Sequence, residues 1–175
     1  MKNFKNSSIF ALSLVLFALP CLVFAANGNG NGQETSAKHR SRVAEIVQQL
    51  ISVADKNINI GEEIRQIAWE QNTTTEKIAS TIEKIENRGK LKTFLIGTDY
   101  KNIGALRSEL VTTANYIKRL EKAWEKATST PDIQVELNAQ ITALKETQTN
   151  VESFIKTNES KFSLLGWLVK FFNQQ

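Results

Sequence analysis

An all-α protein is what the sequence predicts: an antiparallel helical hairpin of coiled-coil type within a small helical bundle. Three observations carry this. Apolar residues recur at steps of three and four over long stretches, as they do on one face of a helix. Only two prolines and eight glycines occur in 175 residues, so little interrupts those stretches. Runs of alternating apolar and polar residues, the mark of a half-buried strand, are almost absent.

The first 25 residues read as a secretory signal peptide. Lys2 and Lys5 supply the positive start, Ile9 to Leu19 the apolar run, and Pro20 the break. Val23-Phe24-Ala25 places small residues where a signal peptidase reads them, so cleavage is expected between Ala25 and Ala26. The alternative is an uncleaved anchor, but the apolar run is short of the roughly 20 residues that a span needs. A lipoprotein reading of Cys21 is weaker, since Ala18-Leu19-Pro20 lacks a small residue just before the cysteine. Cleavage removes two lysines, taking the net charge from +4 to +2. A nearly neutral mature chain gives little support to nucleic-acid binding.

Residues 26–37 are expected to be a flexible tether, because the Asn-Gly repeat from Asn27 to Gly32 has nothing apolar to bury. The helical bundle is expected over 38–160. It opens on a basic cluster of Lys38, His39, Arg40 and Arg42. The cluster fits a solvated helix start better than it fits contact with an anionic envelope surface. Val43, Val47, Leu50 and Ala54 give the first amphipathic stripe, widened by Ile46 and Ile51. A break is expected at Asn57 to Ile60. Asn59 and Glu62 have the spacing of a capping box, so a second helix starts there. Ile64, Ile67 and Ala68 line it, with Trp69 expected to pack close by. Thr73-Thr74-Thr75-Glu76 is a second capping candidate at which the helix either breaks or continues. Ile78, Ile82 and Ile85 carry the stripe on, and Gly89 weakens it locally.

At Gly97 the chain is expected to leave a helix in a left-handed conformation. Thr98 can cap the next helix, with Asp99 near its positive end. Asp99, Tyr100 and Lys101 fit a chain reversal better than a recognition loop.

The hairpin is expected over 102–158. Its first arm presents Ile103, Leu106, Leu110, Ile117, Leu120, Trp124 and Ala127, with Thr113 as the polar slot. Its second presents Leu137, Ile141, Leu144, Val151 and Ile155, with Gln148 as the polar slot. Pro131 suits the first position of the second helix, and Thr130 the cap before it. So short a connection makes the arms antiparallel neighbours. Each arm is about 39 Å long at 1.5 Å per residue. A lone hairpin would be marginal against its ordering entropy, so the earlier helices are expected to pack on it.

Residues 161–175 form an apolar C-terminal helix in this reading, and 161–172 is its candidate working part. Phe162, Leu164, Leu165, Trp167, Leu168, Val169, Phe171 and Phe172 leave only a thin polar stripe at Ser163, Gly166 and Lys170. Eleven such residues cannot span a bilayer. They can fold back on the bundle, lie in a membrane interface with Lys170 snorkelling, or dock on another protein.

Three segments resemble a group of exported all-helical, coiled-coil proteins of candidate-phyla bacteria. They are LKTFLIGTDYKNIGALRSELVTT at Leu91 to Thr113, KHRSRVAEIVQQL at Lys38 to Leu50, and KFSLLGWLVKFF at Lys161 to Phe172. Trp69 and Trp124 depart from that likeness. The resemblance implies a secreted or envelope-associated helical protein and brings no functional residue with it.

Enzyme chemistry finds no foothold. His39 is the only histidine and Cys21 the only cysteine, which excludes a His-cluster zinc site and a disulfide framework; as the sole base for a Ser nucleophile, His39 sits beside the tether, a poor place to hold precise geometry. Di-iron Glu-x-x-His pairs and phosphate-binding glycine loops do not occur. Glu62 and Glu63 read as a solvated face. The expected function is a non-enzymatic, exported scaffold or interaction protein of the cell envelope, without a cofactor. Its partner would be an envelope protein, a second copy, or a membrane surface touched through 161–172. A periplasmic or surface chaperone-like binder is the alternative. The expected location is the periplasm, the cell surface or the extracellular space.

Overall fold

The computed structural model describes residues 32–127, 130–161, 163 and 165. The signal peptide, the tether up to residue 31 and most of the C-terminal apolar segment lie outside the described residues.

Among the described residues five helices follow one another: α1 (Gly32–Asp55), α2 (Gly61–Glu86), α3 (Lys90–Ile96), α4 (Tyr100–Lys126) and α5 (Pro131–Glu159). The four long ones form an antiparallel bundle in which α1 packs on α2 and α5, and α4 packs on α2 and α5. The short α3 buries none of its residues, though Thr93 lines a small cavity together with Ile85 of α2 and Asn158 of α5. The interhelix ion pairs record the antiparallel register. Along α2, Glu63, Glu70 and Lys77 meet Lys126, Arg119 and Glu109 of α4 in descending order. Lys56 meets Glu136, and Arg42 meets Glu146, between α1 and α5. Half-exposed pairs of this kind add about 0–1 kcal/mol each, so they select partners more than they stabilise.

Burial supplies the stability. The apolar stripe of α1 is buried at Val43, Ile46, Val47, Leu50, Val53 and Ala54. Those of α2 and the hairpin are buried nearly where the periodicity places them. The core has two parts. The larger gathers residues from all four helices around Leu50, Ile64, Leu120 and Leu144. The smaller is built from α2, α4 and α5 around Ile82, Leu106 and Val151. Between them, buried polar residues stand on three helices: Gln71, Thr74 and Thr75 on α2, Thr113 on α4 and Thr147 on α5.

Several local expectations change. Helix α1 begins at Gly32, inside the span read as a tether, and Ser36 is already buried against Glu83. Helix α2 runs unbroken through Thr73 to Thr75. The hydroxyls of Thr73 and Thr75 donate to the carbonyls of Trp69 and Gln71 one turn back, so they are consumed inside the helix. No Asn59 cap forms. Instead the Asn57 side chain accepts from the amides of Asn59 and Ile60, closing the α1–α2 turn. Trp69 is 59% exposed rather than packed. Gly89 lies beyond the end of α2 and precedes α3.

At the hairpin tip Ala123, not Trp124, fills the seam. Ala123 is fully buried there, while the partly exposed indole donates to the Gln134 carbonyl at 3.1 Å. In α5 the polar slot falls on Thr147, whose hydroxyl donates to the Leu144 carbonyl; Gln148 sits at the edge, bonded to Glu152. Thr130 does precede α5, with Pro131 in its first turn, but its side chain makes no capping bond.

Gly61 holds a position that neither spacing nor composition reveals. A Cβ on it would lie 2.2 Å from the Ala54 carbonyl oxygen, so only glycine lets α1 and α2 meet so closely at their turn.

Candidate functional site

At one end of the bundle, the C-terminus of α2, the N-terminus of α4 and the C-terminus of α5 converge, and α3 lies across this pole. Gly97 ends α3 with φ at +91°, the conformation only glycine takes freely, although its ψ of −159° is extended rather than left-handed helical. Asp99, rather than Thr98, caps α4: its carboxylate accepts from the Asn102 amide at 3.3 Å and from the Asn102 side chain at 2.8 Å. Desolvation would raise its pKa, but those bonds and the charges of Arg88 and Lys92 hold it below the ordinary carboxylate value. The Thr98 hydroxyl turns the other way and donates to the last carbonyls of α5, at Asn158 and Glu159. The turn is thus a joint between α4 and α5. Tyr100 projects outward, 71% exposed.

The chain leaving α5 is tied to this joint. Lys161 donates to the Asn158 side chain. Ser163 donates to the Leu95 carbonyl of α3, and its Cβ lies 2.7 Å from where a Gly97 side chain would start. A larger residue at Gly97 would therefore displace the start of the C-terminal segment. Of the eight apolar residues predicted to make contacts, only Leu165 is among those described; it is helical and exposed. Phe162, Leu164, Trp167, Leu168, Val169, Phe171 and Phe172 lie outside the described residues.

Helix α3 buries none of its seven residues. Leu91, Phe94 and Ile96 are 71%, 50% and 58% exposed. Sequence reading passed over this surface, although KLKTFLI carries the signal: four large apolar residues in seven, too short a helix to bury them by itself.

The basic cluster lies near the same pole and is partly solvated, with Lys38 exposed and Arg40 and Arg42 tied into ion pairs. Arg40 bridges Glu76 and Glu83 of α2, and Arg42 bonds Glu45. Bonds from Arg40 and Ser36 lower the Glu83 pKa. His39 turns inward. Burial, aided by the neighbouring Arg40 charge, lowers its pKa from 6.5 to about 4, and its Nε2 has no partner among the described residues. Glu86 is shifted the other way, its pKa raised by burial against the pull of Lys161.

A cavity of about 10 Å³ lies under the joint, lined by Arg88, Thr98, Asp99 and Asn158 among others. It has room for a water molecule and no larger ligand. An open groove of about 430 Å³ runs between α4 and α5, but its rim of Arg107, Glu152, Lys156 and Glu159 is charged, and Arg107 pairs with Glu159. Among the described residues, no three His, Cys, Asp or Glu side chains stand together in a way that could hold a metal ion. No helix among them is long and apolar enough to cross a membrane. No protein-family model, curated protein or solved structure matches the chain.

Proposed function

We propose that this chain is an exported, non-enzymatic scaffold or interaction protein of the cell envelope, with the α3 pole and residues 161–172 as its working end. One observation carries the reading. The bundle buries its long apolar stripes, yet at this pole Leu91, Ile96 and Leu165 stay exposed beside the anchored start of a strongly apolar segment. Apolar surface gathered at one place is characteristic of a contact site. The leader-like N-terminus and the likeness to exported helical proteins support the location.

The test uses the full chain in its host cells, with a photo-crosslinking residue at Leu165 or, as a control, at the exposed Val135 on α5. Specific products from Leu165 in the envelope fraction, absent from Val135, are expected. Identical products from both sites, or a chain confined to the cytoplasm, would overturn the proposal.

A further inference from the structure

We infer that the α3 pole is a docking surface for an anionic lipid surface. This deepens the interaction role just proposed by naming the partner's chemistry, and it can fail without that role failing.

Two features coincide on α3. Its apolar side chains Leu91 and Ile96 are exposed on a helix that buries none of its residues. Beside them stand Lys90, with Lys101 at the start of α4, both exposed and without an ion-pair partner among the described residues, and the exposed Lys92, whose charge Asp99 feels. The acidic groups of the pole are engaged elsewhere. Asp99 caps α4 and lies 3.8 Å from Arg88, while Glu159 pairs with Arg107. Glu83 is held by Arg40 and Ser36, and the half-buried Glu86, its pKa raised by burial, faces Lys161. The uncompensated charge around the apolar patch is therefore positive.

That charge decides between possible occupants. A second copy of the chain would bring the same lysines face to face across a symmetric contact. The chain's own C-terminal segment would add Lys170 and no acidic residue. An anionic bilayer complements both features: its headgroups take the lysines, and its acyl boundary takes the apolar side chains. Each lysine near such a surface strengthens binding by about fivefold.

The experiment places an environment-sensitive fluorophore on Leu91→Cys in the full chain carrying Cys21→Ser, with Ile58→Cys as the control. Ile58 is 99% exposed at the α1–α2 turn, the opposite end of the bundle. Each is mixed with vesicles of phosphatidylcholine alone, or of phosphatidylcholine and phosphatidylglycerol in equal parts. A blue shift at position 91 with the anionic vesicles only, and none at 58, is expected. The triple variant Lys90→Gln, Lys92→Gln, Lys101→Gln should weaken the response roughly a hundredfold while leaving the helical circular-dichroism signal unchanged. Three results would overturn the inference. One is a probe at 91 that stays aqueous on anionic vesicles, even where the chain binds them through another segment. Another is an equal response to neutral vesicles. The third is a probe already buried before vesicles are added, pointing to the C-terminal segment if independent of protein concentration and to a second copy if not.

Discussion

The two halves of the bundle are built differently. Near the α1–α2 and α4–α5 turns, all four helices contribute apolar residues to one core. Toward α3, only α2, α4 and α5 do so. There α1 offers Ser36 and Arg40, which bond across to α2, and the half-buried His39, whose Nε2 has no partner among the described residues. One half is packed for stability. The other exchanges part of its core for polar and exposed groups, and it is the half that carries the proposed contact surface.

The largest effect should come from emptying the four-helix core. Leu120 and Leu106 lie on the same helix and are both fully buried, one in each core. Leu120→Ala should cost about 4–5 kcal/mol in denaturant unfolding and Leu106→Ala about 2–3 kcal/mol, because the three-helix site collapses more readily around its cavity. Equal losses would mean the halves are equally packed.

Acid should act on the polar half. Above about pH 6.5 His39 is neutral in the folded and the unfolded chain alike. As pH falls from 6.5 towards 4, the unfolded chain takes up a proton that the buried imidazole refuses, so stability declines. The full decline from this group is about 3 kcal/mol. Glu86, with its raised pKa, works in the opposite sense from pH 4.5 upward, and Glu83 and Asp99 lose stability only below their ordinary values. The difference in unfolding free energy between the parent chain and His39→Leu, followed across pH 4–7, should isolate the histidine. A variant with an unchanged acid slope would show that His39 is not held neutral.

Gly61→Ala should cost about 1–3 kcal/mol, since the added methyl meets a backbone oxygen and the helices must part. Gly104, with open space at its Cβ, is the control: Gly104→Ala on α4 should stabilise by up to about 1 kcal/mol in the same melt. The smallest effect belongs to the polar layer. The Thr113 hydroxyl is buried without a partner among the described residues, so Thr113→Val should raise stability by about 1 kcal/mol. A loss instead would reveal a bond to an ordered water.

Periodicity made the long helices legible because burial follows it almost residue by residue: Ile103, Leu106 and Leu110 on α4, and Leu137, Ile141 and Leu144 on α5, lie where the steps of three and four put them. It could not resolve choices between adjacent residues. Ala123 over Trp124, and Thr147 over Gln148, depend on how much room the neighbouring helix leaves. Nor could it find the inward-turned, half-buried His39, which looks like part of a basic run until α2 supplies Glu76 and Glu83 as partners for Arg40. Of the candidate site, Ser163 is placed against α3, while the apolar content of α3 was legible in KLKTFLI and its exposure was not, since exposure depends on what the bundle packs against it.

Native-state hydrogen exchange of the full chain tests the contrast between the halves most directly. Amides of α4 and α5 around Leu120 and Leu144 should exchange only through global unfolding. Those of α3, from Lys90 to Ile96, should open at far lower free energy, with the start of α1 between the two. Protection of α3 equal to that around Leu120, with no lipid present, would contradict the account.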